Sequence, residues 1–257
     1  MMIRQMFILL FCAIIAFGQT GNAATIVKDG KPYSAIIIPE KADPGVRLAA
    51  EELREHIIKI SGAKLPIYDE ESFSLDRFRW INPMFTAIYL GPTKAAKVIG
   101  INAKNLKSEE FRIKVTPKNI YIIGGEQRLC ITHSKIEAME YSFSRRTTAF
   151  AVYDLLEKDL GVRWLWPGEL GTVIPKQNTI IIKEQERRDA PFFPVRKFMG
   201  GVLSGGTRTA ALKQGTPLED YFQRYTDTSD WLIRSRSGMS MIIPCAHTFG
   251  PRKFWEK

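Results

Sequence analysis

Residues 147–175, TTAFAVYDLLEKDLGVRWLWPGELGTVIP, decide how this chain folds. Ala149, Val152, Tyr153, Leu156 and Leu160 recur at three- and four-residue steps, which predicts a helix with one apolar face. Asp154 and Lys158, four residues apart, are expected to pair on its outer face. Gly161 supplies the left-handed stop, and Val162 the apolar contact that follows it. The chain then reads as a strand, VRWLW, turned by Pro167-Gly168. Trp164 and Trp166 alternate with Leu165, which would put both indoles on one face. Indoles here either pack a structural joint or stack on sugar. Packing is favoured over stacking, because buried tryptophans bring large apolar area.

Upstream, AIIIP (35–39) reads as a buried strand ended by proline. Asp43 and Pro44 then open a helix. Val46, Ala49, Ala50, Leu53, Ile57 and Ile60 form its inner stripe, while Glu51, Glu52, Arg54 and Glu55 are expected to face away. Gly62 stops it, and KLPIYD (64–69) reads as a strand. Residues 70–84 read as a polar and aromatic loop. TAIYLG (86–91) is a buried strand, followed by a short helical piece to Gly100. FRIKV (111–115) alternates apolar and charged residues, TPKN (116–119) has turn chemistry, and NIYIIGG (119–125) returns as the partner strand. Residues 126–145 yield no element. Downstream, TVIP (172–175) and NTIIIK (178–183) read as strands. The charged KEQERRDAP (183–191) reads as a connector between domains. Residues 25–185 thus make one α+β domain, a mixed sheet covered by two helices.

The N-terminus has the layout of a secretory signal peptide over residues 1–23. MMIRQM carries one positive charge, FILLFCAIIAF is apolar throughout, and Gly21 and Ala23 fit a cleavage site. The apolar run is too short to span a bilayer. Export to the periplasm, cell surface or medium is expected, with no membrane span after signal removal. Cys130 and Cys245 remain, either bridged or free. The histidines are His56, His133 and His247, and no CxxC or HExxH motif occurs, so neither metal nor cofactor is expected. The net charge of +10 is spread along the chain rather than gathered in a stripe, which argues against a nucleic-acid groove. It suits anionic partners such as acidic glycans, or simple solubility.

Beyond the connector, FFPVRKFM (192–199) reads as a strand and residues 217–236 as a helix. MSMIIPCAHTFG (239–250) reads as a second strand. The intervening GGVLSGGTRT lacks the Lys-Ser/Thr of a phosphate loop and the spacing of a dinucleotide fold. This is one βα repeat and the start of another. A (β/α)8 barrel needs roughly 200 residues or more. Residues 190–257 are therefore expected to be the first strands of an incomplete barrel, and the chain a fragment.

AAEELREHIIKISGAKLPI (49–67), IYLG (88–91), FRIKV with NIYIIGG (111–125), residues 147–175, APFFPVR (190–196) and HTFG (247–250) share their order and spacing with a known family. Together they resemble bacterial glycoside-hydrolase-like proteins of domain of unknown function 4838. The front part resembles the N-terminal domain of α-glucuronidases and the non-catalytic domain of β-N-acetylhexosaminidases. The chain departs from the pattern at Thr147, where a glycine usually follows the arginine, and at Lys197. The resemblance implies a carbohydrate partner, acidic or N-acetylated, and catalytic carboxylates beyond this chain. Glycosidases need two carboxyl groups about 5–9.5 Å apart. Glu219, Asp220, Asp227, Asp230 and Glu256 have no motif context, and none is assigned as catalytic. For substrate binding the resemblance points to Arg196, at the end of the first barrel strand, with an interdomain salt bridge as its alternative. His247 would contact sugar from the second strand or serve structure. Trp231 would line a subsite or pack in the core.

Overall fold

The computed structural model of the chain describes residues 22–125, 146–193, 195–196, 215 and 217–239. The strands are β1 (Ala23–Lys28), β2 (Lys31–Pro32), β3 (Ser34–Ile38), β4 (Ile67–Asp69), β5 (Thr86–Leu90), β6 (Phe111–Val115), β7 (Asn119–Gly124), β8 (Arg163–Trp164), β9 (Thr172–Val173), β10 (Ile180–Lys183), β11 (Gln185–Asp189), β12 (Val195–Arg196) and β13 (Gly238–Met239). The helices are α1 (Pro44–Ser61), α2 (Leu75–Ile81), α3 (Lys94–Val98), α4 (Thr147–Lys158) and α5 (Leu218–Arg234).

Six strands form the main sheet in the order β11-β6-β7-β5-β3-β4. β4, β3, β5 and β7 run parallel, β6 pairs antiparallel with β7, and β11 antiparallel with β6. β3 and β5 are buried along their whole length, as their unbroken apolar runs require in a sheet covered on both faces. Register sorts the side chains into two layers. Ile36, Ile88 and Ile120 sit opposite one another and face α1 and α4. Ile37, Tyr89 and Tyr121 line the other face.

α1 begins after Asp43 and ends at Gly62 as expected, although the Asp43 side chain makes no capping hydrogen bond. The Asp43 carbonyl accepts the amides of Val46 and Arg47 at 2.9 and 3.0 Å. Gly62 closes it at φ 78°, donating to the Ile58 carbonyl at 2.8 Å. α4 presses against the end of β7 at Gly124, where a Cβ would lie 2.4 Å from the Thr148 amide nitrogen. The fold class is α+β with a mixed sheet, and two helices cover one face as expected.

The structure corrects several local readings. The stretch 70–84 is not all loop: it contains α2, which covers the second face with Phe73 and Phe78. The charged connector contains β11, an edge strand paired residue by residue with β6. Its polar residues suit that place, since an edge strand faces solvent and charge protects it from further pairing. Ala23 and Ala24, next to the expected cleavage site, pair with Lys183 and Ile182 of β10. The VRWLW strand is only Arg163–Trp164 long, so the alternation ends there. Trp164 is 8% exposed but Trp166 is 60% exposed, and the two do not share a face.

Candidate functional site

The C-terminal segment meets the front domain along a seam, and Trp164 stands at its centre. β8 turns back into β9 through a close approach at Gly171. The Leu165 amide donates to the Gly171 carbonyl at 2.7 Å, and a Cβ on Gly171 would fall 2.1 Å from the Trp166 carbonyl oxygen. This hairpin drives the Trp164 indole between α1 and α4. Its ring meets His56 and Tyr153 edge-on, each at 5.4 Å between centroids. From α5, the Trp231 indole N–H donates to the Trp164 carbonyl at 3.0 Å, and Trp231 packs on the main core. Trp231 thus reaches the joint that the sequence predicted.

Three arginines of the C-terminal segment grip carboxylates of the front domain. Arg196 makes a two-pronged pair with Glu109, at 2.7 and 3.2 Å. Its Nε donates to the Arg236 carbonyl at 2.8 Å, and Nη1 also donates to the Phe193 carbonyl at 2.5 Å. Four of its five N–H groups are therefore engaged within the protein. The Glu109 contact is an ion pair of the kind weighed as the alternative to sugar contact. Arg234 holds Glu52 of α1 at 3.1 and 3.2 Å. Arg236 reaches Glu157 at 2.5 Å and Asp154 at 3.4 Å, both on α4.

Asp154 is the hub of this lattice. It is fully buried, with Lys158 at 2.7 Å and Arg187 of β11 at 3.1 Å. The Arg187 Nε contact is an ion pair without hydrogen-bond geometry. Two sequence readings are corrected here. Asp154 does not lie on an outer face, and Glu52 does not face away. Both carboxylates point inward because basic residues far along the chain close over them. Glu109 and Arg236 adopt left-handed backbone, at φ 57° and 56°. Such conformations cost free energy in non-glycine residues and persist where surroundings enforce them.

The electrostatics follow from this wiring. Arg188 holds the Glu110 carboxyl below the usual carboxylate range, aided by the Lys107 amide. His56 lies below its ordinary 6.5 because burial disfavours its charged form. Its Nδ1–H donates to the Glu52 carbonyl at 2.7 Å. Burial also pushes the Tyr153 hydroxyl up, and raises Asp230 on α5. A pocket of about 210 Å³ opens beside Phe111, Asp189, Pro191, Arg196, Ser235 and Arg236.

β12 pairs with β13 antiparallel, whereas neighbouring barrel strands run parallel. The rest of the expected second strand lies outside the described residues. So do His247, Cys130, Cys245 and the GGVLSGGT loop. Among the described residues, no group of three His, Cys, Asp or Glu side chains is placed to hold a metal. Sequence reasoning missed Glu109, Glu52 and Arg236, and nothing in their local spacing marks them as partners.

No known protein-family profile matches the chain, and no curated protein does. Among solved structures it is similar to a family GH115 4-O-methyl-α-glucuronidase with specificity for decorated arabinogalactans. That match has 13% identity and a TM-score of 0.46, covering 83% of this chain and 25% of the other. The GH20 β-N-acetylhexosaminidase of Streptomyces coelicolor A3(2) matches at 11% identity and TM-score 0.38, over 68% of this chain and 25% of that one. A GH20 exo-β-N-acetylglucosaminidase of Vibrio harveyi matches at 14% identity and TM-score 0.38, over 79% and 22%. The chain spans about a quarter of the length of these structures.

Proposed function

We propose that the chain is the front part of an exported carbohydrate-active protein that hydrolyses glycosidic bonds as a whole. The described residues act as a platform that fixes the following domain in place. The observation that carries this reading is the seam: α5 and β12 are seated on the Trp164 joint by Trp231 and three arginine clasps. The ordered sequence blocks that resemble glycoside-hydrolase-like proteins support the same reading. Arg196 and Trp231 then act as positioning residues, and His247 stays the candidate for sugar contact. Acidic or N-acetylated glycans are the proposed substrates. The test compares aryl-glycoside hydrolysis by the 257-residue chain and by the protein of the whole reading frame. Turnover by the longer protein alone is expected. Turnover by the 257-residue chain itself would overturn the platform reading.

Trp166, at 60% exposure, favours a second reading as a glycan-binding module without chemistry. Retention on an immobilised glycan, abolished by Trp166→Ala with unchanged stability, would establish it.

A further inference from the structure

We propose that the outer face of α2 is a docking surface for an anionic lipid membrane. α2 is apolar on both sides. Its inner residue Phe78 packs with Phe73, Phe85 and Tyr68 at centroid distances of 5.2, 4.9 and 5.5 Å. Its outer stripe follows helical spacing through Arg77, Trp80 and Ile81, and Met84 continues it just past the helix end. Trp80 is 87% exposed, Ile81 70% and Met84 58%. Exposed apolar side chains grouped in this way, rimmed by charge, mark an interaction surface.

The tip is held in shape. The Asn82 amide donates to the Phe78 carbonyl at 2.9 Å, and the Met84 amide to Asn82 Oδ1 at 3.0 Å. Arg79 ties it to the β6–β7 turn, donating to the Lys118 carbonyl at 3.1 Å and Asn119 Oδ1 at 2.9 Å. The apolar trio is therefore presented on a fixed support, at little ordering cost on binding.

Charge decides the partner. Arg77 and Lys118 are exposed, and Asp76 is the one acid between residues 75 and 84. A second copy of the chain would bring these cations against each other. An acidic glycan would satisfy the cations but offer Ile81 and Met84 no apolar depth. An anionic bilayer supplies phosphates for the cations, an interface that suits indole, and hydrocarbon beneath. Among the described residues no helix is long and apolar enough to cross a membrane. α2 covers the sheet face opposite the one that Trp231 packs against, so the surface is independent of the seam.

The test uses the full chain with vesicles of phosphatidylcholine and phosphatidylglycerol whose acyl chains are brominated near the headgroup. The vesicles should quench part of the wild-type indole emission, and Trp80→Phe should remove that part. Ile81→Asp should weaken vesicle binding about tenfold without shifting the unfolding midpoint, and Arg77→Glu/Lys118→Glu should weaken binding to charged vesicles. The apolar N-terminal run is common to all variants, so the differences between them report on α2. Equal quenching in wild type and Trp80→Phe would overturn the proposal, as would binding indifferent to Ile81→Asp. An Ile81-dependent dimer in sedimentation, or Trp80-dependent retention on an acidic polysaccharide without vesicle binding, would assign the surface to those partners instead.

Discussion

Strands β3 and β5 lie fully buried between two apolar layers, whereas α5 meets the same domain through Arg234, one indole and its neighbouring charged turn. Apolar burial is non-directional and indifferent to moderate salt. Charged pairs need geometry, weaken with screening and leave a costly remnant when one partner is lost. The sheet is thus built to persist, and the seam to hold one orientation. The platform role proposed above rests on that division between a persistent sheet and an oriented seam. Trp164 belongs to both regimes, since its ring is in the core and its carbonyl receives α5.

Trp164→Ala should therefore give the largest effect, about 3–5 kcal/mol of lost stability in urea unfolding. A change in sugar affinity alone, with the midpoint unmoved, would break the joint reading. Asp154→Ala should cost about 3 kcal/mol, because Arg187, Arg236 and Lys158 would lose their shared counter-charge. Asp154→Asn keeps the shape but removes the charge, so it should cost nearly as much, and a near-neutral Asp154→Asn would show that packing rather than charge matters there. Acid should act in two stages. His56 titrates below its ordinary 6.5 when folded, so its contribution is complete above pH 6.5 and declines as the unfolded chain takes up the proton. Glu110 and Glu186 lie below their ordinary 4.5, held by Arg188 and Arg112, so their contribution is lost as pH falls through the folded values. Between these limits His56→Gln should flatten the decline. Arg188→Ala should be the mildest change, since that pair is largely exposed on its arginine side.

Much of the fold was legible because it is written locally. Asp43-Pro44 and Gly62 bound α1, and the stripe of Ala149, Val152 and Leu156 marks α4. What escaped depends on partners distant in sequence. β11, QERRD, has no apolar period. It is a strand because Arg112 and Lys114 of β6 pair with Glu186 across the edge. α2 hid because its apolar residues fall on both faces. Glu52 and Asp154 read as surface charges until residues 187, 234 and 236 closed over them. Trp166 was misplaced because alternation holds only while a strand continues, and β8 ends at Trp164. The seam itself was legible as a joint, but its arginine clasps were not, apart from Arg196.

The division between platform and seam is tested most directly by amide hydrogen exchange in the wild type and in Arg234→Ala, which removes the clasp on Glu52. Amides of α5 should exchange markedly faster in the variant while those of β3 and β5 hold their protection. Equal protection of α5 in the two proteins would contradict the division.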